Sequence, residues 1–125
     1  MDRNYGFADG YNRALQQVDA ECFGLLNSDV EVTAGWLEPL VATLQNNSQV
    51  AAVAPKLLSY VERRQFEYAG AAGGYIDYLG YPFCRGRILS TIEQDEGQYD
   101  APQEVFWASG AAFCCRADVF RVRWL

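Results

Sequence analysis

The strongest constraint on the fold is a short apolar run that ends abruptly in a polar triplet. Cys22-Phe23-Gly24-Leu25-Leu26 is apolar throughout, and Asn27-Ser28-Asp29 follows it directly. A continuous apolar run of this length between turn signals is typical of a strand buried on both faces, as in a parallel sheet. The run therefore predicts a layered domain in which a polar turn lies at the carboxyl end of a buried strand.

Helical periodicity precedes and follows this strand. Apolar residues at helical spacing predict an amphipathic helix over 11–18, with Asp9 as its cap. A second helix is predicted over 34–46, capped by Thr33, and the apolar run 50–54 predicts a second buried strand. The order helix, strand, helix, strand indicates an α/β fold with a mainly parallel central sheet flanked by helices.

The second half of the chain has shorter apolar segments and more turn residues. Its polar stretch 85–102 shows little periodicity, which predicts a long surface loop. A chain of 125 residues is most simply one domain, covering residues 1–125. Further elements are expected as strands at 57–61, 66–69, 104–107 and 111–115, and as a helix at 116–120.

Composition narrows the function classes. With 10 basic and 16 acidic residues and a net charge of −6, general nucleic-acid binding is not expected. The chain has no histidine, which excludes any mechanism that needs an imidazole from this chain. Its four cysteines form no CxxC pair, and neither a signal peptide nor a spanning apolar stretch is visible. A cytoplasmic location is the simplest expectation.

The triplet Asn27-Ser28-Asp29 is the first candidate site. Ligands of open α/β sheets bind beyond the carboxyl ends of strands, where a carboxylate can hold a divalent cation that bridges two phosphates. The alternative is a solvated turn or a cap for the next helix, and such turns are common. On the triplet alone, the solvated turn is the favoured interpretation.

Blocks of distinctive sequence occur in order along nearly the whole chain. They are N-Y-G-F-A-D-G-Y-N (4–12), L-L-N-S-D-V-E-V (25–32), G-W-L-E-P-L (35–40), V-A-P-K-L-L (53–58), Ala69-Gly70, Gly86-Arg87, S-G-A-A (109–112) and R-A-D-V-F (116–120). Together they resemble family 2 glycosyltransferases, and the rhamnosyltransferase-like branch in particular. The resemblance implies a partial GT-A fold, the nucleotide-diphospho-sugar transferase type.

The resemblance also assigns donor-binding residues. Asp29 matches the metal-ligating carboxylate of the family's D-x-D element, here in the form N-x-D, and would hold a divalent cation, Mn²⁺ or Mg²⁺. Asn27 matches the first position of that element and would face the ribose or the diphosphate. Gly6, Gly10 and Asn12 match the loop that closes around the nucleotide, although a tight turn before a helix explains the two glycines about as well.

Acceptor- and sugar-binding residues are implied in the second half. Ser109 and Gly110 match a family loop near the donor sugar and the acceptor, and the alternative for them is an ordinary turn between strands. Trp107 would line the same cleft, since an aromatic face suits sugar C–H groups, but burial in the core is the commoner fate of such a residue.

The resemblance further implies a central, truncated fragment. In the family, a strand, a helix and a second strand precede the first block, and G-G-F-D-E and an E-D pair follow the last. One carboxylate of that pair is the expected general base. Here Arg121-Val122-Arg123-Trp124-Leu125 follows instead. We therefore expect no catalytic residue in this chain, no activity in isolation, and self-association as a homo-oligomer through an exposed sheet edge.

The implied reaction is transfer of a sugar from a nucleotide-diphospho-sugar donor to a glycan or lipid-linked acceptor, metal-assisted and with inversion. Peripheral membrane association of the parent protein fits such an acceptor. Two alternatives stay open: a non-catalytic carbohydrate- or nucleotide-binding remnant, and a purely structural, oligomer-forming fragment. The residues do not indicate which sugar is transferred, which nucleotide base the donor carries or which acceptor receives the sugar.

Overall fold

A computed structural model describes residues 3–68 and 70–121. No helix among these residues is long and apolar enough to cross a membrane. The elements in chain order are α1 (Gly6–Leu15), β1 (Cys22–Leu26), α2 (Leu37–Asn46), β2 (Ala52–Val53), β3 (Gly74–Ile76), β4 (Pro82–Cys84), β5 (Arg87–Ile88), β6 (Thr91–Ile92), β7 (Ala112–Arg116) and α3 (Ala117–Arg121).

The strands form two small sheets, and every pairing in them is antiparallel. One sheet has the order β1-β7-β2 and the other the order β3-β4-β5-β6. The predicted parallel central sheet is therefore wrong. β1 and β2 do run in the same direction, but β7 lies between them and pairs antiparallel with both. A short apolar run marks a strand without fixing its direction, so the sequence pattern could not reveal this.

The position of β1 also corrects its predicted burial. The strand begins and ends where the sequence predicts, but only Phe23 is buried, and Leu26 is 39% exposed. Because β1 lies at the edge of the three-stranded sheet, one side of its backbone has no neighbouring strand among the described residues. The apolar composition of the run therefore overstates how much of it is covered.

Both predicted helix caps are wrong. α1 begins at Gly6 after Tyr5, and no side chain caps it; Asp9 lies in the first turn and binds Arg13 Nε at 2.9 Å instead. α2 begins at Leu37, and Thr33 contributes only its backbone carbonyl, which accepts a hydrogen bond from Trp36 N at 3.3 Å. In α2 the apolar face is packed, with Leu40 and Leu44 buried, whereas no residue of α1 is buried.

The second half holds less regular structure than predicted at some places and more at others. The predicted strands 57–61 and 66–69 reduce to a bridge between Leu58 and Phe66, and Ala69 lies outside the described residues. The predicted strand 104–107 reduces to a bridge between Gly74 and Trp107. The predicted loop 85–102 instead contains the β5–β6 hairpin. The strand at β7 and the helix at α3 are confirmed, each displaced by one residue.

Each sheet has its own group of buried residues. Under the three-stranded sheet, Leu40 and Leu44 of α2 pack with Cys114 of β7. Near the four-stranded sheet, Phe66 packs with Ala71, Ala72 and Cys84, and Tyr99 and Trp107 cover them. We call these the α2 core and the Phe66 core.

Candidate functional site

The acidic turn lies at the carboxyl end of β1, as predicted. Val30 N donates to Asn27 O at 3.3 Å and closes the turn, which leaves Asp29 exposed. Asn27 N donates to Ala111 O at 2.9 Å, just before β7 begins. Since β1 and β7 are antiparallel, the last residue of β1 pairs with the first residue of β7, at one end of the two strands. The turn is therefore fastened to the segment that precedes β7.

That segment is the predicted Ser109-Gly110 turn. Ser109 Oγ accepts a hydrogen bond from Ala111 N at 3.2 Å. The side chain also packs closely on the backbone of Gly70, where an added Cβ would lie 2.5 Å from Ser109 Cβ. The structure thus brings together two blocks that are far apart in the sequence, because Ala111 is bonded to Asn27 and follows Gly110 directly.

A groove of about 290 Å³ separates α1 from the three-stranded sheet. Asn12 of α1 and Gly110 both line it, so the structure places these two predicted residues on the same cavity. Most of the remaining wall is apolar and includes Phe7, Leu25 and Phe113. Such a wall suits the apolar face of a base or sugar better than a charged diphosphate.

The two predicted glycines of α1 differ in what the structure demands of them. Gly6 has φ +72, a backbone conformation that residues with a Cβ rarely adopt. Gly10 lies inside the helix without a positive φ, and an added Cβ would meet nothing within 4 Å. The fold therefore accounts for Gly6, whereas nothing in the described residues requires a glycine at position 10.

Trp107 packs against the Phe66 core. Its indole Nε1 donates to Tyr75 O at 3.2 Å. Its ring lies on Gly74 so closely that an added Cβ would be 2.0 Å from a ring carbon. Core packing accounts for this side chain, and its contact with a sugar stays a prediction.

The electrostatics of the turn leave one carboxylate without a protein partner among the described residues. Glu31 is held by two hydrogen bonds from Arg63, at 3.0 and 3.1 Å, which lower the pKa of its carboxyl. Asp29 makes no side-chain hydrogen bond or ion pair with a residue that the structure describes. Asp29 is therefore the carboxylate of this turn that an added ligand could use.

The fit of the turn to a divalent cation is limited. Among residues 3–68 and 70–121, no group of three or more His, Cys, Asp or Glu side chains could hold a metal ion. Mg²⁺ usually keeps several waters and is bound by one or two carboxylates together with substrate phosphates. Asp29 alone fits a cation of that kind, which takes most of its ligands from a diphosphate and from water.

One polar cluster was not predicted. Lys56, the chain's only lysine, lies just beyond β2, and its ammonium binds Asp95 at 2.6 Å and also Asp100. Burial alone would lower the pKa of Lys56, but the hydrogen bonds to Asp100 and Asp95 raise it. The cluster fastens the segment 93–100 to the exit of β2. The sequence features that could have indicated this cluster are the single lysine and the acid-rich loop. Sequence spacing does not show that residues so far apart are in contact.

Comparison with known proteins identifies one family. The family described as Glycosyl transferase family 2 matches residues 1–122. No curated protein and no solved structure matches the chain.

Proposed function

Since the chain belongs to glycosyltransferase family 2, we propose that it forms the donor-binding part of a site that moves a sugar from a nucleotide-diphospho-sugar to a glycan or lipid-linked acceptor. One observation carries the proposal: the hydrogen bond from Asn27 N to Ala111 O joins the acidic turn to the Ser109-Gly110 turn. A transferase needs its diphosphate and its acceptor held together, since proximity supplies much of the rate acceleration.

The proposed roles follow the positions of the side chains. Asp29 would hold a divalent cation, Mn²⁺ or Mg²⁺, whose charge offsets that of the departing diphosphate. Asn27 would donate its amide to the ribose or the diphosphate. Asn12 would reach the ligand from α1 across the apolar groove, and Ser109 and Gly110 would border the donor sugar and the acceptor.

The proposed chemistry is direct displacement at the sugar carbon, with inversion. We assign donor binding and positioning to this chain and give no residue in it the role of general base. Binding is therefore a sharper test than turnover, since it does not require proton transfer from the acceptor.

The test is calorimetric titration of the purified chain with UDP and with dTDP, each with and without Mn²⁺. We expect metal-dependent binding of one of them, weakened at least about tenfold in Asp29→Ala, because the lost contact is charged. Asp19→Ala is the matched control. Asp19 is also exposed but precedes β1, at the opposite end of that strand from Asp29, so its replacement should leave binding unchanged.

Two results would speak against the proposal. Equal losses in Asp29→Ala and Asp19→Ala would mean that general charge, and not the acidic turn, attracts the nucleotide. No binding under any condition would remove the donor role from this chain and leave the structural, oligomer-forming alternative.

A further inference from the structure

An ion pair between Glu31 and Arg63 joins the acidic turn to the loop that follows β2. Arg63 Nη1 and Nη2 donate to the two carboxylate oxygens of Glu31, at 3.0 and 3.1 Å. The two residues are 32 positions apart in the sequence, and among the ion pairs of the described residues only theirs reaches this turn. Arg63 therefore places a positive charge beside a segment whose own charged residues, Asp29 and Glu31, are acidic.

The position of Glu31 brings this positive charge close to Asp29. Glu31 follows Asp29 by two residues, and two residues of even fully extended chain span only about 7 Å. In the proposed donor site, Asp29 holds the cation that binds the diphosphate. A diphosphate on that cation would therefore lie near the guanidinium of Arg63.

Hydrogen bonds fix the loop that carries Arg63. Ser59 N donates to Gln65 O at 2.8 Å, and Gln65 N donates to Glu62 O at 2.7 Å. Glu62 N donates to Ser59 Oγ at 3.2 Å. The guanidinium carbon of Arg63 lies 5.1 Å from the centre of the Tyr60 ring, within the range of a cation–π contact. The loop, the ring and Glu31 thus orient the guanidinium before any ligand binds.

The ion pair is open to solvent and leaves the guanidinium accessible. The side chain of Arg63 is 62% exposed and that of Glu31 is 51% exposed. Ion pairs between exposed side chains contribute little to stability, because water and salt screen them. A guanidinium has five N–H donors, and the two bonds to Glu31 leave others for a second anion. Arg63 can therefore bind a phosphate without unfolding any part of the chain.

We propose that Arg63 binds the diphosphate of the donor, and that Glu31 holds its guanidinium in place beside the acidic turn. Arginine suits this role because its planar fork matches the oxygens of a phosphate group. Asp29 and one divalent cation together carry a single positive charge, which is less than the negative charge of a diphosphate. Arg63 supplies a further positive charge. The inference rests on the proposed donor role of Asp29 and adds to that site a residue from outside the acidic turn.

Arg63→Gln tests the contact in calorimetric titrations with UDP and with dTDP, each with Mn²⁺. We expect this variant to bind the nucleotide at least about tenfold more weakly, because the lost contact is charge-assisted. Arg121→Gln is the matched control, since it removes the same charge from an exposed residue of α3. α3 follows the end of β7 that pairs with the start of β1, away from the acidic turn. Circular dichroism would verify that each variant is folded.

The double variant Glu31→Gln/Arg63→Gln separates phosphate binding from mere neutralisation of Glu31. If Arg63 only offset the charge of Glu31, removal of both charges would restore binding. We expect the double variant to bind at least about tenfold more weakly than Glu31→Gln, in which Arg63 is still present. Equal affinities of the double variant and Glu31→Gln would overturn the proposal.

Comparison with Asp29→Ala separates the role of Arg63 from that of the acidic turn. Metal-dependent binding that Asp29→Ala weakens and Arg63→Gln leaves intact would overturn the role of Arg63 alone. Equal losses in Arg63→Gln and Arg121→Gln would also overturn it, because general charge would then explain both. No binding of either nucleotide by the unmodified chain would remove the donor role of Asp29, and the role of Arg63 with it.

Discussion

Close packing requires a glycine at some positions of this chain and not at others. A sequence pattern cannot show which positions these are. Gly74 has the ring of Trp107 on its Cα, whereas Gly10 faces open space on α1. The resemblance to family 2 assigned a donor role to Gly10 but said nothing of Gly74. For stability the structure gives the opposite order of importance. Packing requires a glycine at position 74 but not at position 10.

Replacement of each glycine by alanine tests this difference. Gly74→Ala should lower the free energy of unfolding by roughly 1–3 kcal/mol or more, because the added methyl overlaps the indole ring. Gly10→Ala should raise it by about 0.5–1 kcal/mol, since alanine is the better helix former and meets no neighbour. Urea unfolding followed by circular dichroism measures both. Loss of nucleotide binding in a stabilised Gly10→Ala would show that the glycine serves the ligand.

The ion pair between Lys56 and Asp95 makes stability depend on pH. The hydrogen bond from Lys56 holds the pKa of Asp95 below its ordinary value of 3.8. The pair therefore contributes fully above the ordinary pKa, and its contribution is lost as pH falls through the lowered one. Asp95→Asn should cost roughly 1–2 kcal/mol at neutral pH and less at about pH 3, below the ordinary pKa of an aspartate.

Urea unfolding at the two pH values measures this change. Asp19→Asn is the control, since Asp19 is exposed and makes no ion pair with a described residue. An equal loss for Asp95→Asn at both pH values would contradict the ion-pair explanation and point to lost packing.

Among the elements, the first half of the chain was the more predictable part. The position of β1 and the end of α2 at Asn46 are confirmed, because apolar runs and helical spacing are local signals. The direction of pairing was wrong, because the partner that decides it, β7, lies far along the chain. In the second half, Gly74 and Gly86 each lie against an aromatic ring that sequence spacing does not reveal.

The candidate site, too, was predictable where local sequence decides it and not where long-range pairing does. Local sequence placed Asn27 and Asp29 in a turn after a strand, which the structure contains. Their proximity to Ser109 and Gly110 follows from the antiparallel register of β1 with β7, which no local pattern encodes. The ring of Trp107 packs on Gly74 in the Phe66 core, and its predicted contact with a sugar stays a prediction.

β1 leaves one backbone edge of its sheet without a neighbouring strand among the described residues, and this predicts self-association. We expect light scattering to show mass increasing with concentration. Leu26→Lys should reduce the association, because a charge on an edge strand opposes pairing with another strand. Leu37→Lys is the matched control, since Leu26 and Leu37 are both 39% exposed and Leu37 lies in α2. A clean monomer at high concentration would contradict the prediction.

The molecule as a whole has two groups of buried residues, the α2 core and the Phe66 core. Contacts between the parts that hold them include Ser109 against Gly70 and the bridge from Trp107 to Gly74. Because each core is small, we expect the two sheets to open separately in the native state.

Leu44→Ala tests this expectation. Leu44 is 1% exposed in the α2 core, so its truncation should cost roughly 2–5 kcal/mol there. Amide hydrogen exchange measured by mass spectrometry should then accelerate in β1, α2 and β7 more than in β3 to β6. A uniform acceleration would show one cooperative unit.

The place of β7 in its sheet has a consequence for synthesis on the ribosome. β1 and β2 each pair with β7 and not with one another, so neither has a partner among the described strands of its sheet until Ala112–Arg116 has left the exit tunnel. Translation proceeds at about 5–20 residues per second, so Cys22–Leu26 waits several seconds unpaired after it emerges. During that interval an apolar strand of five residues is open to holdase chaperones, and the yield of folded protein should depend on them.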